Sequence, residues 1–255
     1  MHPPGCCRPG APARVPKRDR MNRPFDPAFA LAMIPSLLPY FAVTIGVTAA
    51  SALAGSCIGL GVARARLSRT KAVRAIAAGY TAVLRSTPSI VLLFLVFYGF
   101  PAAVHALTGI NIHFWHRAVF VIITFTLLFS ATMSEVFRSA WLSVDRGQFE
   151  AAVSAGLSPA QAQLRIVLPQ AAVSAIPNFG NALISLMKEG ALAYMVGLID
   201  AMGQGFLVVS RNYGARSLET FLALAVLYWA LTAILERVFL LVERRLSRGL
   251  RGVSQ

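Results

Sequence analysis

The chain has 255 residues, of which 56% are hydrophobic and 13% charged, and its mean hydropathy is +0.64. A soluble domain of this size carries about 25% charged residues, and no charged side chain occurs between Pro27 and Ala63, a run well beyond the ~20 residues that cross a bilayer. The formal charge of +14 does not mark a nucleic-acid partner, because Lys and Arg gather at the ends of apolar segments, facing lipid headgroups, and no nucleic-acid motif accompanies them. The chain therefore reads as an all-α, polytopic protein of the lipid bilayer. Its three cysteines, Cys6, Cys7 and Cys57, have neither metal spacing nor a disulfide framework. No metal site is expected, and Cys57 reads as a small packing residue.

In chain order, residues 1–30 form a leader expected to be disordered, rich in Pro, Gly and Arg in its first twenty positions. Met21 is the expected true start. Residues 31–250 form the membrane domain, with five transmembrane helices near 36–63, 75–100, 118–137, 172–199 and 220–242. Basic residues concentrate in the loop from Arg64 to Arg74, in the loop 138–169 and in the tail from Arg237 to Arg251, whereas the opposite loops hold only Arg117, Arg211 and Arg216. The positive-inside rule then places the N-terminus outside and the C-terminus in the cytoplasm. The leader opposes that rule, and a start at Met21 would remove all of its basic residues except Arg23.

The loop 138–169 contains two helix signals. Asp145 and Gln148 have capping-box spacing ahead of Glu150-Ala151-Ala152, and Gly156 suits the left-handed position that ends a helix. Ser158 and Pro159 suit the cap and first position of a second helix, which is expected to stop before Pro169. By these signals alone, an ordinary hairpin joining two spans fits as well as a docking module.

The spacing Glu150-Ala151-Ala152, Gly156, Ile166, Leu168-Pro169 resembles the cytoplasmic docking loop of ABC importer permeases. Further segments are similar to the polar amino-acid branch of that family: Arg85-Ser86-Thr87-Pro88 with Phe97-Tyr98-Gly99, Glu135 and Arg138 ahead of Asp145-Arg146-Gly147-Gln148, Leu168-Pro169-Gln170-Ala171 with Pro177 and Asn181, and Leu186-Met187-Lys188. Val196 through Gly203 looks like the members that import L-cystine and related sulfur amino acids. The resemblance covers most of 36–245. It implies the ABC importer permease fold in the bacterial inner membrane, pairing with a second copy or a sister permease. It also implies an extracytoplasmic binding protein that delivers a polar amino acid, and a dimer of ATPase subunits, which would hold ATP-Mg, docking at Gln148, Glu150, Ala151, Ala152, Gly156, Ile166, Leu168 and Pro169. This chain itself is expected to bind no cofactor. Where the family has Arg-Gly-Thr-Pro and Lys-Asp-Thr-Ser-Leu, this chain has Arg85-Ser86-Thr87-Pro88 and Lys188-Glu189-Gly190-Ala191-Leu192, which loses two hydroxyls.

Charges at membrane depth cost roughly 2.5–3.5 kcal/mol each on translocon scales, so each needs a partner or a watery path. Glu135 and Arg138, three residues apart, are expected to form an ion pair. Arg85 and Lys188 are candidates to attract a substrate carboxylate, Asn181 to add a hydrogen bond, and Asp200 to face the substrate ammonium. A channel or secondary transporter would need no docking loop. A membrane enzyme is disfavoured because His2, His105, His113 and His116 form no cluster with carboxylates, and no Gly-rich phosphate loop occurs.

Overall fold

The computed structural model describes residues 25–248, and these are helical throughout with short connections. The leader call falls partly outside them, but its end is corrected. Phe25 to Ala30 belong to the fold, because Asp26 accepts the Phe29 amide (3.1 Å) and Pro27 occupies the first position of α1, Pro27–Arg66. Asp26 also pairs with Arg216 at 3.3 Å, and Arg216 pairs with Glu219 at 3.1 Å. The start of α1 is thereby tied to that of the last helix.

At 1.5 Å per residue the 40 residues of α1 span about 60 Å, twice a hydrocarbon core. Over its second half the buried stripe is small: Thr48, Ser51, Ala52, Gly55, Gly59 and Ala63. This lets α1 run parallel and close to α4, Arg117–Leu142. Ser51 donates to the Ile122 carbonyl (3.4 Å), and Gly55 and Gly59 lie against Phe129 and Met133. Small residues at such crossings are what allow membrane helices to approach. Cys57, expected to pack, points outward instead, since only every third or fourth residue of α1 faces α4.

The expected span 75–100 is broken. α2, Lys71–Ser86, stops at Thr87 with extended dihedrals, as the residue before a proline prefers. The span restarts as α3, Ser89–Thr108. A π-helical turn at Leu95–Gly99 precedes Pro101, and a second at Gln163–Val167 precedes Pro169. In both places the widened turn comes just where a proline removes a backbone donor. For this reason the helix opened by Pro159–Ala162 does not stop before Pro169, as the sequence suggested, but runs on into α6, Leu168–Glu189.

Beyond α6, a 3₁₀ turn at Gly190–Val196 leads to α7, Ala201–Arg211, and then α8, Ser217–Arg248. Four helices among the described residues are long and apolar enough to cross a membrane: Pro27–Arg66, Ser89–Thr108, Arg117–Leu142 and Ser217–Leu246. The pair Pro159–Val196 and Ala201–Arg211, bent by 48°, brings the number to five when it is counted as one broken span. The core lies where α1, α4 and α6 meet, around Val47, Phe125, Phe129, Met133 and Leu186. α8 packs on α6 through Phe239, whose ring fills the space beside Gly180.

Candidate functional site

The loop between α4 and α6 is a compact hairpin. Asp145 caps α5, Arg146–Ser154, by accepting the Gly147 amide (2.6 Å). The expected reciprocal bond from Gln148 is not formed; only its backbone amide bonds back, to the Asp145 carbonyl (3.1 Å). The full capping box is one helix later, where Ser158 accepts the Gln161 amide (3.3 Å) and Gln161 Oε1 accepts the Ser158 amide (3.0 Å). Between them Gly156 has φ +93°. The amides of Gly156 and Leu157 bond to Val153 and Ala152 (2.9 and 3.1 Å), the paired bonds of a Schellman ending. Glu150, Ala151, Gly156, Leu168 and Pro169 are exposed, Gln148 and Ile166 are half-buried, and Ala152 is buried. Leu164 adds an apolar side chain 65% exposed. A cavity of about 280 Å³ separates the end of α4 from the hairpin, lined by Trp141, Asp145, Arg146, Phe149, Glu150 and Gln163 among others.

Glu135 is the centre of an ion cluster at the hairpin end of α4. Arg138 reaches its Oε2 through Nε (3.0 Å) and a terminal nitrogen (2.9 Å). Arg66, at the end of α1, hydrogen-bonds its Oε1, and Arg85 stands 3.9 Å from the same atom. The sequence suggested the Glu135–Arg138 pair but not Arg66, because nothing local marks a contact between residues so far apart in the chain.

Arg85 also borders a second cavity of about 240 Å³, at the break between α2 and α3. Its other polar lining is Thr87, Ser89, Thr132, Ser185 and Glu189. Ser89 donates to Glu189 Oε2 (3.1 Å). Glu189 was overlooked beside Lys188. Neighbours on a helix point about 100° apart, which puts Glu189 into the cavity and leaves Lys188 on the exposed face.

That exposed face of α6 carries a polar stripe, with Pro177 at its edge. Ser174, Asn178, Asn181, Ser185 and Lys188 follow one another at intervals of three or four and are all exposed, while Ala171, Ala175, Gly180, Ile184 and Met187 are buried. A lipid-facing helix would show the reverse. Asp200, in contrast, is 2% exposed and opens into neither cavity. Its Oδ1 accepts the Gly203 amide (2.8 Å) to cap α7, and its Oδ2 accepts the Thr44 hydroxyl (3.3 Å) from α1. It joins two helices, and its place just ahead of a helix was the signal for this cap. At the far end from the hairpin, Arg117 donates to the Gly197 carbonyl (2.8 Å), where Gly197 has φ +78°, and His116 Nδ1 caps α4 by accepting the Ala118 amide (3.2 Å). No group of three or more His, Cys, Asp or Glu side chains that could hold a metal occurs among the described residues.

A membrane helix with such a polar stripe needs water or protein along it, and the hairpin beside it is firmly capped. The chain belongs to the family described as binding-protein-dependent transport system inner membrane component, whose model matches residues 55–248. It is 38% identical over 230 residues, 90% of this chain and 95% of the relative, to the L-cystine transport system permease protein TcyL of Bacillus subtilis (strain 168). It is 31% identical over 223 residues, 87% of this chain and 97% of the relative, to the arginine transport system permease protein ArtQ of the same organism. It superposes with a TM-score of 0.76, at 28% identity and covering 88% of this chain and 100% of the other, on the crystal structure of an amino acid ABC transporter with histidines. The chain is an amino-acid ABC importer permease. Such permease components are not catalytic, and the ATPase is a separate subunit.

Proposed function

We propose that this chain forms the transmembrane pathway of an ATP-driven importer in the bacterial inner membrane, carrying L-cystine or a related sulfur amino acid. The observation that carries this reading is the polar stripe of α6, which runs from Ser174 near the hairpin to Lys188 beside the cavity of Arg85 and Glu189. The charged lining of that cavity matches an amino acid's two charges, with the Arg85 guanidinium for the carboxylate and the Glu189 carboxylate for the ammonium. Asn181 and Lys188 line the approach. A second copy or a sister permease covers the stripe from the other side, so that the polar face meets water and protein rather than lipid.

The N-terminus lies outside and the C-terminus in the cytoplasm, as the basic loops favour. ATPase subunits holding ATP-Mg dock on the hairpin at Gln148, Glu150, Ala151, Ala152, Gly156, Ile166, Leu168 and Pro169, and an extracytoplasmic binding protein loads the opposite face. The cystine assignment draws on the likeness to TcyL; the second reading, another polar amino acid, draws on the likeness to ArtQ.

Uptake of labelled L-cystine and L-arginine into proteoliposomes holding the permease, its ATPase and its binding protein tests both. ATP-dependent uptake that prefers L-cystine, and that falls about tenfold or more in Lys188→Met, supports the reading. A preference for arginine or glutamine overturns the sulfur assignment. Uptake that persists with an inactive ATPase returns the chain to the secondary transporters.

A further inference from the structure

We infer that Arg85 is an exchangeable cation, shared between Glu135 and the carboxylate of a bound amino acid, so that filling the cavity loosens the ion cluster at the root of the hairpin. The inference rests on the cavity being the amino-acid site of the proposed importer. It starts from an imbalance of charge. Three guanidiniums surround one carboxylate, and two of them satisfy it: Arg138 holds Oε2 through two nitrogens and Arg66 holds Oε1. Arg85, at 3.9 Å, is outside hydrogen-bonding range and its side chain is 56% exposed. A loose, half-exposed ion pair contributes little, so Arg85 leaves at small cost. An incoming carboxylate in the cavity offers it a two-pronged, charge-assisted pair, which is stronger.

The position of each partner gives this exchange a direction. Arg85 is next to last in α2, two residues before the break at Thr87-Pro88, and lines the same cavity as Glu189. Glu135 is on α4, whose end leads through Ser143 and Val144 into the capped hairpin, and Arg66 closes α1. One carboxylate thus ties together α1, α2 and α4 near the hairpin. When Arg85 turns to the substrate, α2 is released from that tie while α1 and α4 stay joined. By linkage, anything that weakens the Arg85–Glu135 contact strengthens substrate binding to the same extent.

A double-mutant cycle between the two positions tests this in the permease–ATPase complex in lipid nanodiscs. The probe is the L-amino acid, chosen from the twenty common ones and L-cystine, that most stimulates wild-type ATP hydrolysis when binding protein is added. Glu135→Asp draws the carboxylate back by one methylene while keeping a charge for Arg66 and Arg138. Binding of the probe is expected to tighten about two- to fivefold, and basal hydrolysis to rise toward the stimulated rate. Arg85→Gln is expected to weaken binding by about tenfold or more, and adding Glu135→Asp to it should then change nothing. Glu135→Gln serves the same cycle if the aspartate variant does not assemble. Glu135 substitutions that leave affinity unchanged, or that alter it equally with and without Arg85, overturn the exchange but not the cavity as the amino-acid site. Unchanged binding in Arg85→Gln overturns the cavity assignment itself, and the exchange with it.

Discussion

Gly59 should be the residue of α1 least able to accept a methyl group. A Cβ there would lie 2.8 Å from the Cβ of Met133, 2.9 Å from the Ser130 carbonyl oxygen and 3.2 Å from the Ser134 amide nitrogen. Two of these atoms are backbone and the third is fixed to it, so no rotamer change gives relief. Restoring ordinary contact distances of about 3.5 Å moves α1 away from α4 by roughly 0.6 Å along the most closely packed crossing of the bundle. Overpacking of this kind costs about 1–3 kcal/mol. At about 2–4 °C per kcal/mol for a chain of this length, Gly59→Ala should melt some 2–12 °C below the parent. Gly61 and Gly46 are on the same helix with nothing within 4 Å of the added carbon. Alanine at either should instead stabilise by about 0.5–1 kcal/mol, through helix propensity alone. Thermal unfolding in detergent, followed by near-ultraviolet circular dichroism, separates the two outcomes. If Gly59→Ala melts at or above Gly61→Ala, the close parallel packing of α1 on α4 is refuted.

Three further substitutions bear on the site. Ser158→Ala removes one half of the hairpin's capping box and should cost about 1 kcal/mol locally, read as faster proteolysis of 146–167 and as a smaller ATPase response to substrate, with the melting temperature of the spans little changed. Asp200→Ala leaves the buried Gly203 amide without its acceptor and the Thr44 hydroxyl with only the Tyr40 carbonyl (3.4 Å), and should destabilise by about 1–2 kcal/mol. If Asp200 acts only as the buried cap it forms here, the amino-acid affinity of whatever folds should match the parent, and a loss of affinity without a loss of stability would contradict this. Gly197→Ala puts a Cβ on a residue with φ +78° and within 2.5 Å of the Arg117 guanidinium. It should lower the melting temperature by more than Arg117→Met does, since it adds backbone strain of about 1 kcal/mol to the loss of the same bond.

The parts of the fold legible in the sequence are those set by local rules. Gly156, Ser158 and Pro159 fix the turn and second cap of the hairpin because each has a backbone preference that needs no distant partner. The five-span outline follows from apolar length alone. The interruption of the second span at Arg85 and Pro88 was legible as well, because a proline pushes the residue before it out of the helical region, and the structure breaks the helix at Thr87-Pro88. The π turns before Pro101 and Pro169 were not, since a proline predicts a disturbed helix without saying whether the chain ends, kinks or widens.

Charge at membrane depth was legible as a demand for a partner, but not as the identity of that partner. Glu135, Glu189 and Asp200 look alike in the sequence, each a carboxylate among apolar residues, and each meets the demand differently. Glu135 gathers arginines from three helices, Asp200 is consumed by an amide and a hydroxyl, and Glu189 has one hydroxyl and a cavity. What distinguishes them is the face of the helix each occupies and what packs against it, and sequence spacing fixes only the first of these. The same argument explains why Lys188 was the more conspicuous candidate and Glu189 the better enclosed one. They are adjacent in the chain, yet the turn of the helix sends one to the open stripe and the other to the cavity. On the proposed reading, a transported zwitterion needs both a polar route and a cavity with groups of opposite charge, and two consecutive residues at the end of α6 would serve one requirement each.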